Sequence, residues 1–495
     1  MKLIRIAGLI LLAFLLLVSC SNAENGADIG GGAEENGAGG THETVAGPED
    51  DAPPVRMYAN LPDVTFGGHE MRLLVRGEAH TLFAARDIYA EELNGELIND
   101  AVFHRNRAIE ERFDVTISQE AVANPGSFIV RLINAGDDVY DALVDATIAS
   151  VNLSGAGMLV DLKTVPHIDL SKPWWDQSLT RELTVGGRLF GAIGDLIISD
   201  MDGTWGVLFN KNMLEDFSLP NPYELVKAGG WTLDAFYEIS RAVSVDVDGN
   251  GIFCVFTDMF GFATENYNIF VMLTGAGVRL AEHDADGLPV LTAGSPRFLA
   301  AYDKAVAIDR AVSTINAQRI PVAGGVHAFY DGLIPAFNEG RILFYMGSMV
   351  LVPQFRGMEQ DFGILPIPKF DEAQENYYTT MSIFNNGAIY IPVTNDNLER
   401  TGILLEALSA ESRYTLLPAY YDLTLQTKLA RDEESSAMLD ILFANRIHDT
   451  GALHNFGGIL DLVTGGGEFV SGFERIEGRV MTAIQRLIDQ LHELD

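Results

Sequence analysis

The chain has 495 residues, of which 47% are hydrophobic, and a formal net charge of −36. This length exceeds what one compact core accommodates, so we expect two or more domains. The acidic balance argues against nucleic acid as a partner, because nucleic-acid binding requires basic patches, and it disfavours anionic ligands as well.

The first twenty residues indicate an export signal. Lys2 and Arg5 precede the apolar run 9–18, which is shorter than the roughly 20 residues of a membrane span, so a signal peptide is favoured over a transmembrane helix. The run ends in Leu-Val-Ser-Cys at 17–20, which resembles the bacterial lipobox. That resemblance implies lipidation of Cys20 and anchorage to the outer face of the cytoplasmic membrane. Ordinary secretory cleavage beside an incidental cysteine is the alternative.

The segment that follows the lipobox is typical of a flexible, acidic, Gly-rich tether. Residues 21–62 are dominated by Gly, Ala, Asn, Glu and Asp and hold few large apolar side chains. They therefore bury too little surface to offset the entropy of ordering. The mature chain has one further cysteine, Cys254, and with Cys20 lipidated we expect no intramolecular disulfide.

Strands and helices alternate in the first part of the folded chain. The predicted order is strand 69–76, helix 99–113, strand 114–117, helix 127–135 and strand 141–145. This order predicts a parallel sheet with right-handed crossovers, and ligands bind at the carboxyl ends of such strands. The loop after Arg76 and the segment that begins at Asp145 are therefore candidate walls of a cleft.

Further elements are predicted in the second part of the chain. Of the adjacent Trp174 and Trp175, we expect one to pack and the other to be exposed, whereas Trp231, at a helix start, is expected to pack. The predicted elements are strand 203–211, helix 214–217, a helix from 232, helix 333–338, strands 342–346, 361–365 and 388–391, and helices 398–408 and 473–494.

Four segments of this second part carry a more specific pattern. They are Val-Leu-Phe-Asn-Lys at 207–211, Gly-Trp-Thr-Leu-Asp-Ala-Phe at 230–236, Ala-Phe-Asn-Glu-Gly-Arg-Ile-Leu-Phe at 336–344 and Phe-Gly-Ile-Leu-Pro-Ile-Pro-Lys at 362–369. In this order they resemble the motifs of the family 1 extracellular solute-binding proteins, a family that includes maltodextrin- and other sugar-binding proteins.

The resemblance implies an α/β protein with the two-lobed periplasmic-binding-protein-like fold of type II. In that fold each lobe is a sheet flanked by helices, and a crossing hinge joins the lobes. Mapped onto this chain, lobe one would hold 63–203 and 375–430, and lobe two would hold 204–374 and, with the C-terminal helices, 431–495. The crossings would fall near 202–205 and 370–378.

The same resemblance implies a function in solute capture. The protein would bind a small ligand, first of all an oligosaccharide, and deliver it to the permease subunits of an ABC importer by hinged lobe closure. It would be a monomer that requires no cofactor. A sensor or adhesin uncoupled from transport is an alternative that the sequence leaves open. A glycan-active enzyme is a further alternative, although no His-Glu-x-x-His, Gly-x-Ser-x-Gly or phosphate-loop motif is present.

Candidate ligand contacts follow from the chemistry of sugars. Sugars present apolar C–H faces, which suit aromatic rings, and a rim of hydroxyls, which suits polar side chains. We expect these contacts at strand ends and turns on the cleft side, and the candidates are Arg76, Asp145, Asp202, Trp205, Asn266, Tyr267, Ser348 and Asn385. For each residue the alternative to ligand contact is a structural role, as a core tryptophan, a loop charge or an ordinary turn residue.

The segment 246–252 resembles the first half of a calcium-binding loop. The ligand candidates are Asp246, Asp248, Asn250 and the carbonyl oxygen of Ile252, with Gly251 at the turn. Thr257 stands at the twelfth position, where a bidentate Glu is expected, and Asp258 follows one residue later. The segment predicts a structural calcium site, with an acidic Gly-rich turn as the alternative.

Overall fold

The computed structural model describes residues 56–77, 82–322, 324, 326–425 and 433–493. The predicted signal peptide, Cys20 and residues 21–55 of the predicted tether lie outside the described residues. The strands are β1 (His69–Arg76), β2 (Val115–Val122), β3 (Ala142–Ala146), β4 (Trp205–Asn210), β5 (Ser244–Val245), β6 (Met259–Thr264), β7 (Ala281–His283), β8 (Pro289–Leu291), β9 (Thr314–Asn316), β10 (Ile342–Ser348), β11 (Phe362–Leu365), β12 (Thr379–Thr380), β13 (Gly387–Tyr390) and β14 (Arg446–Ile447). The helices are α1 (Leu97–Phe113), α2 (Pro125–Ala135), α3 (Thr147–Gly155), α4 (Gln177–Leu183), α5 (Ser199–Asp202), α6 (Lys211–Asp216), α7 (Pro222–Lys227), α8 (Leu233–Ser240), α9 (Asn268–Gly275), α10 (Pro296–Asp309), α11 (Ile334–Asn338), α12 (Leu398–Ser412), α13 (Leu416–Leu425), α14 (Glu433–Ala444), α15 (Thr450–His454), α16 (Ile459–Thr464) and α17 (Phe469–Glu493).

The described chain begins with contacts to helices much later in the sequence. Arg56 forms an ion pair with Glu411, and the backbone N–H of Met57 donates to the hydroxyl of Tyr414 at 2.7 Å. The end of the predicted tether, residues 56–62, is therefore packed on the folded part at Arg56 and Met57.

The first sheet has the strand order β13-β3-β1-β2 among the described residues. β1 runs parallel to β2 and β3, and β13 is antiparallel to β3. The crossover helix α2 begins where the side chain of Asn124 accepts the Ser127 N–H and Pro125 occupies the first turn, and it ends at Gly136 with a φ of 76°. The strand and helix alternation of the sequence thus produces the expected parallel pairing.

The second sheet has the order β11-β4-β10-β6-β5, with β9 paired to β6. β6, β9 and β10 are mutually parallel, and β4 is antiparallel to β10. β4 and β10 are buried along their whole length, because apolar side chains cover both faces. Phe344 packs into one core with Trp231, whereas its neighbour Tyr345 packs into a second core with Phe337 on the opposite face.

The tryptophans outside β4 are all structural. Trp174 and Trp175 are both buried, so the expectation that one of them is exposed is wrong. Their indole N–H groups donate to the two carboxylate oxygens of Glu406 on α12, at 3.0 and 2.8 Å. Because both indoles donate to Glu406, which is far away in the sequence, both rings are held in the core. Trp231 is buried as expected, and its indole donates to the Pro366 carbonyl at 2.8 Å.

The chain passes between the two sheets along adjacent segments. Thr204 and Met381 form an antiparallel bridge, and the Ser382 N–H donates to the Gly203 carbonyl at 3.1 Å. A parallel pair, β12 with β14, lies next to this bridge in the sequence. Tyr377 belongs to the core of the second sheet, so the return to the first sheet takes place after it.

Helix α17 joins the C-terminal region to both parts of the fold. Ile476, Val480 and Ile484 pack into the core of the second sheet, and the Gln490 amide donates to the Gly155 carbonyl at the end of α3, at 3.4 Å. None of the helices in the described residues combines the length and the apolar composition that spanning a membrane requires.

Candidate ligand-binding cleft

A cavity of about 670 Å³ lies at one edge of the second sheet. The parallel strands β6, β9 and β10 end there, so that Glu265, Gln318 and Ser348 meet at their carboxyl ends. Ligand sites of α/β sheets occur at this edge. Phe83, in the loop after β1, and Asn385, before β13, line the cavity from the side of the first sheet.

The structure brings together three of the predicted ligand contacts, Trp205, Ser348 and Asn385, on the wall of this cavity. Trp205 begins β4 and pairs with Ser348, the last residue of β10. The indole Nε1 of Trp205 is buried and has no hydrogen-bond partner among the described residues. A buried donor without a partner costs free energy, so a ligand acceptor at this point would be favourable.

Arg76 and Asp145 form a buried pair beside the cavity and are not part of its lining. The Arg76 Nε lies 3.6 Å from the Asp145 carboxylate, which also accepts the Gly126 N–H at 2.8 Å. The guanidinium donates to the carbonyls of Phe384 and Asn385, at 3.2 and 2.6 Å. Burial lowers the pKa of Arg76. This pair therefore fixes the backbone on which Asn385 is presented.

Asp202 is also buried and does not line the main cavity. Its carboxylate accepts two hydrogen bonds from Arg86, at 3.1 and 2.8 Å. Burial raises its pKa, and the neighbouring Arg86 opposes that rise. The ion pair lies at the end of α5, directly before the chain crosses to β4.

Asn266 and Tyr267 support lining residues from behind. The Asn266 N–H donates to the side-chain oxygen of Gln318 at 2.9 Å, and its own side-chain oxygen accepts from Asn316 at 3.1 Å. The Tyr267 ring lies against that of Trp205, with centroids 5.7 Å apart. Both residues therefore contact the wall of the cavity without being part of its lining.

Several lining residues were not predicted from the sequence. Glu265 directly follows β6, and Gln318, His327, Phe329 and Tyr330 belong to the segment between β9 and α11. The sequence carries only a weak signal for this segment. β9 has only three residues, and the residues between β9 and α11 show no clear periodicity. The apolar strand β6 was the stronger signal, since its end marks Glu265 as a residue at the cleft edge.

Glu265 is the acidic residue of the lining, and its environment is unusual for a carboxylate. Burial raises its pKa, and a hydrogen bond from the Gln318 side chain partly offsets the rise. The described lining contains neither Lys nor Arg. The polar groups of the cavity therefore include donors and acceptors of hydrogen bonds but no permanent positive charge.

The predicted metal loop forms a cluster of carboxylates in which Asp248 is exposed and Asp258 is buried. Oxygen atoms of Asp246, Asp248 and Asp258 lie within 4.8 Å of one another, so the residue that comes one position late in the sequence reaches the cluster. Asn250 donates from its side chain to Asp248 at 2.7 Å. The side chain of Ile252 is exposed.

Comparisons with known proteins bear on the fold. No protein-family profile and no curated protein matches the chain by sequence. Many solved structures match in three dimensions. UgpB from Mycobacterium tuberculosis, solved with glycerophosphocholine, is 16% identical, with a TM-score of 0.55 over 86% of this chain and 100% of that one. The substrate-binding protein Lmo0181 from Listeria monocytogenes, solved with cycloalternan, is 12% identical, with a TM-score of 0.52 over 86% of this chain and 99% of that one.

The maltose/maltodextrin-binding domain MalE from Bdellovibrio bacteriovorus, solved with maltotriose, is 12% identical, with a TM-score of 0.51 over 84% of this chain and 99% of that one. The chain has the two-lobed fold of the solute-binding proteins. The predicted α/β fold class is thereby confirmed, and these structural neighbours are binding proteins. Most of the lining residues follow strands of the second sheet, whereas Phe83 and Asn385 belong to segments next to β1 and β13 of the first sheet.

Proposed function

We propose that this protein captures a small solute, an oligosaccharide, in the cleft between its lobes and delivers it to an ABC importer by lobe closure. The observation that carries the proposal is the position of Trp205, which lines the cavity and whose buried indole N–H has no partner among the described residues. An indole ring offers an apolar face to sugar C–H groups, and its N–H offers a hydrogen bond to a hydroxyl.

The polar rim of the cavity has the chemistry that sugar hydroxyls require. Ser348 and Gln318 each donate and accept, and Asn385 does so from the opposite lobe. A cavity of about 670 Å³ lies within the size range of small-molecule sites. Within this site we assign direct ligand contact to Trp205, Ser348 and Asn385.

The other predicted residues have supporting parts in the proposal. Tyr267 holds the Trp205 ring, Asn266 holds Gln318, and Arg76 with Asp145 holds the backbone at Asn385. Asp202 fixes the end of α5 through Arg86. Each of these residues would affect binding through the residue that it positions.

Lobe closure requires a hinge, and we propose the segments around Thr204 and Met381, which run side by side between the sheets. The lobes would be those predicted from the sequence, with the boundary at 374/375 moved to the segment at Met381, because Tyr377 packs in the core of the second sheet. Hinges are formed by a few residues that absorb the change in backbone dihedral angles.

The cellular setting rests on the N-terminal sequence. We propose that Cys20 carries the lipid anchor and that the acidic tether presents a monomeric binding protein outside the cell membrane, where it meets the permease subunits. Metabolic labelling with a fatty-acid analogue tests this directly: the wild-type chain should be labelled and a Cys20→Ala variant should not.

We further propose that the loop 246–252 holds a structural calcium ion. Asp246, Asp248, Asn250 and the Ile252 carbonyl would be ligands, with Asp258 as the additional carboxylate that the fold brings close. The backbone N–H groups of Cys254 and Val247 hydrogen-bond to Asp258 and lower its pKa, which keeps it ionised. The ion would be structural, since none of these ligand candidates lines the cavity.

The experiment for the main proposal is a thermal-shift screen of the mature chain against a panel of saccharides. A ligand at 100 times its Kd stabilises the folded state by about 2.7 kcal/mol, so at least one saccharide should raise Tm clearly. A Trp205→Ala variant should lose that response, whereas Phe256→Ala, at an exposed aromatic side chain outside the lining, should keep it. A panel without any stabilising saccharide would contradict the proposal.

A further inference from the structure

The carboxylate of Glu265 lies on the cavity wall, at the end of β6, and it has no counter-ion there. Its hydrogen-bond partner is the neutral amide of Gln318. Among the residues that the structure describes, no Lys or Arg shares the cavity lining or forms an ion pair with it. Buried carboxylates elsewhere in the fold accept from an arginine, as Asp202 does from Arg86, or from neutral N–H groups, as Glu406 does from two indoles. Glu265 lies on a cavity wall, where a ligand can supply its counter-charge.

Aromatic rings line the same cavity. Tyr330 and Phe329 line it with ring centroids 5.1 Å apart, and the His327 ring lies 4.8 Å from that of Tyr330. Tyr345, in the layer beneath, is close enough for the charge of Glu265 to contribute to its raised pKa, after burial as the main cause. A carboxylate and aromatic faces in one cavity are the groups that together recognise organic cations.

The charge of the whole protein acts in the same direction. The formal net charge is −36, which produces a negative potential that attracts cations and repels anions. The imidazole of His327 is held by the backbone of its own segment, because its Nδ1 accepts the N–H groups of Phe329 and Tyr330 at 3.2 and 3.4 Å.

From these observations, and resting on the proposed function, we infer that the cleft selects a saccharide that carries a protonated amine, whose ammonium group pairs with Glu265 against the aromatic rings of Phe329 and Tyr330. The amine supplies the positive charge that the lining lacks. The sugar ring would lie on Trp205, which leaves the polar rim for its hydroxyls. A neutral saccharide of the same size would leave the carboxylate desolvated without a counter-charge.

The test compares matched saccharides by calorimetry, at about pH 6, where a sugar amine is protonated. The probes are the glucosamine trimer, its fully N-acetylated form and maltotriose. We expect the glucosamine trimer to bind the wild-type chain at least about tenfold more tightly than either neutral trimer, as for a close charge pair in a buried interface.

A Glu265→Gln variant keeps the shape of the side chain and should abolish this preference while leaving neutral trimers unaffected or better bound. Glu372→Gln makes the same charge change at an exposed position outside the lining, and it should retain the preference. Choline, a cation without a sugar, should bind more weakly than the glucosamine trimer if the ring contributes through Trp205.

The outcomes separate this inference from the proposed function. If neutral trimers bind the wild-type chain as tightly as the amine, the inference is overturned and oligosaccharide capture stands. A preference that survives in Glu265→Gln would likewise overturn it. If choline binds as tightly as the glucosamine trimer, the amino-sugar assignment fails. If none of the saccharides binds, both the inference and the proposed function fail.

Discussion

The ring of Trp205 lies against the ring of Tyr267, with centroids 5.7 Å apart and an interplanar angle of 34°. Tyr267 also contacts Phe384 edge-on, at 6.1 Å, and the Phe384 carbonyl accepts a hydrogen bond from Arg76 of the first sheet. The proposed sugar platform is thus connected through packed side chains to Arg76 of the first sheet. Changes behind the cavity wall should therefore alter binding.

Substitution of Tyr267 by Ala should weaken ligand binding about threefold to tenfold. An aromatic pair contributes about 0.5–1.5 kcal/mol beyond area burial, and its loss would let the Trp205 ring move. Tyr267→Phe keeps the ring and should bind nearly as the wild-type chain does. Calorimetry with a saccharide that the thermal-shift screen identifies measures both variants. Equal affinities for wild type and Tyr267→Ala would rule out the supporting role.

Substitution of Arg76 by Met should destabilise the fold. Removal of one partner leaves Asp145 buried without its counter-ion, which costs about 3–5 kcal/mol. Arg107 offers a control, because its own side chain is exposed where it pairs with Glu110, and pairs with an exposed partner contribute about 0–1 kcal/mol. Urea unfolding measures the free energy for both variants. A loss in Arg76→Met no larger than in Arg107→Met would show that the pair is not structurally important.

The β strands of the first sheet show what the sequence predicts well. β3 follows Asp141 and is apolar apart from Asp145, and the helix before it, α2, begins at a clear cap, Asn124, so local patterns sufficed. Trp205, Ser348 and Asn385 were predicted because they stand at ends of strands or in turns. The rule that ligands bind at strand ends required only the order of the elements.

Glu265 and the pair of tryptophans show what the sequence did not predict. Glu265 becomes a lining residue because β6 and β9 lie side by side, and these strands are separated by helices α9 and α10 in the chain. Trp174 and Trp175 are both buried because Glu406, on α12, accepts both indole N–H groups. Such long-range pairings have no local signature.

The stability of the protein should fall as the medium becomes acidic, in part because of His448. Burial lowers the pKa of this histidine from 6.5 to about 4. Between those values the unfolded state binds a proton that the folded state does not, so the free energy of unfolding decreases as pH falls, by about 3 kcal/mol in total. Above pH 6.5 the histidine is neutral in both states, and this effect is absent.

A His448→Leu variant isolates this contribution. Asp449 has a pKa raised to about 6 by burial, which acts in the opposite direction, but it is common to both proteins. The difference in free energy of unfolding, variant minus wild type, should therefore grow as pH falls from 6.5 to about 4. A difference that is independent of pH would contradict the assignment.

Calcium should raise the Tm of the chelator-treated protein if the loop 246–252 binds it. The change Asp248→Asn removes one charge from the cluster of Asp246, Asp248 and Asp258 and should abolish the response. Asp284→Asn is the control, because Asp284 also caps an acidic Gly turn, accepting the Asp286 and Leu288 N–H groups at 2.9 Å, but belongs to no such cluster. Absence of heat and of a Tm change in the wild type would remove the proposed ion.

Intrinsic tryptophan fluorescence tests the capture of a sugar in this cleft most directly. The chain has 4 tryptophans; Trp174, Trp175 and Trp231 are buried away from the cavity, and Trp205 lines it. Titration with a stabilising saccharide should produce a saturable change in emission that disappears in a Trp205→Phe variant. A saccharide that binds without changing the emission, or a change that persists in Trp205→Phe, would contradict ligand capture at this site.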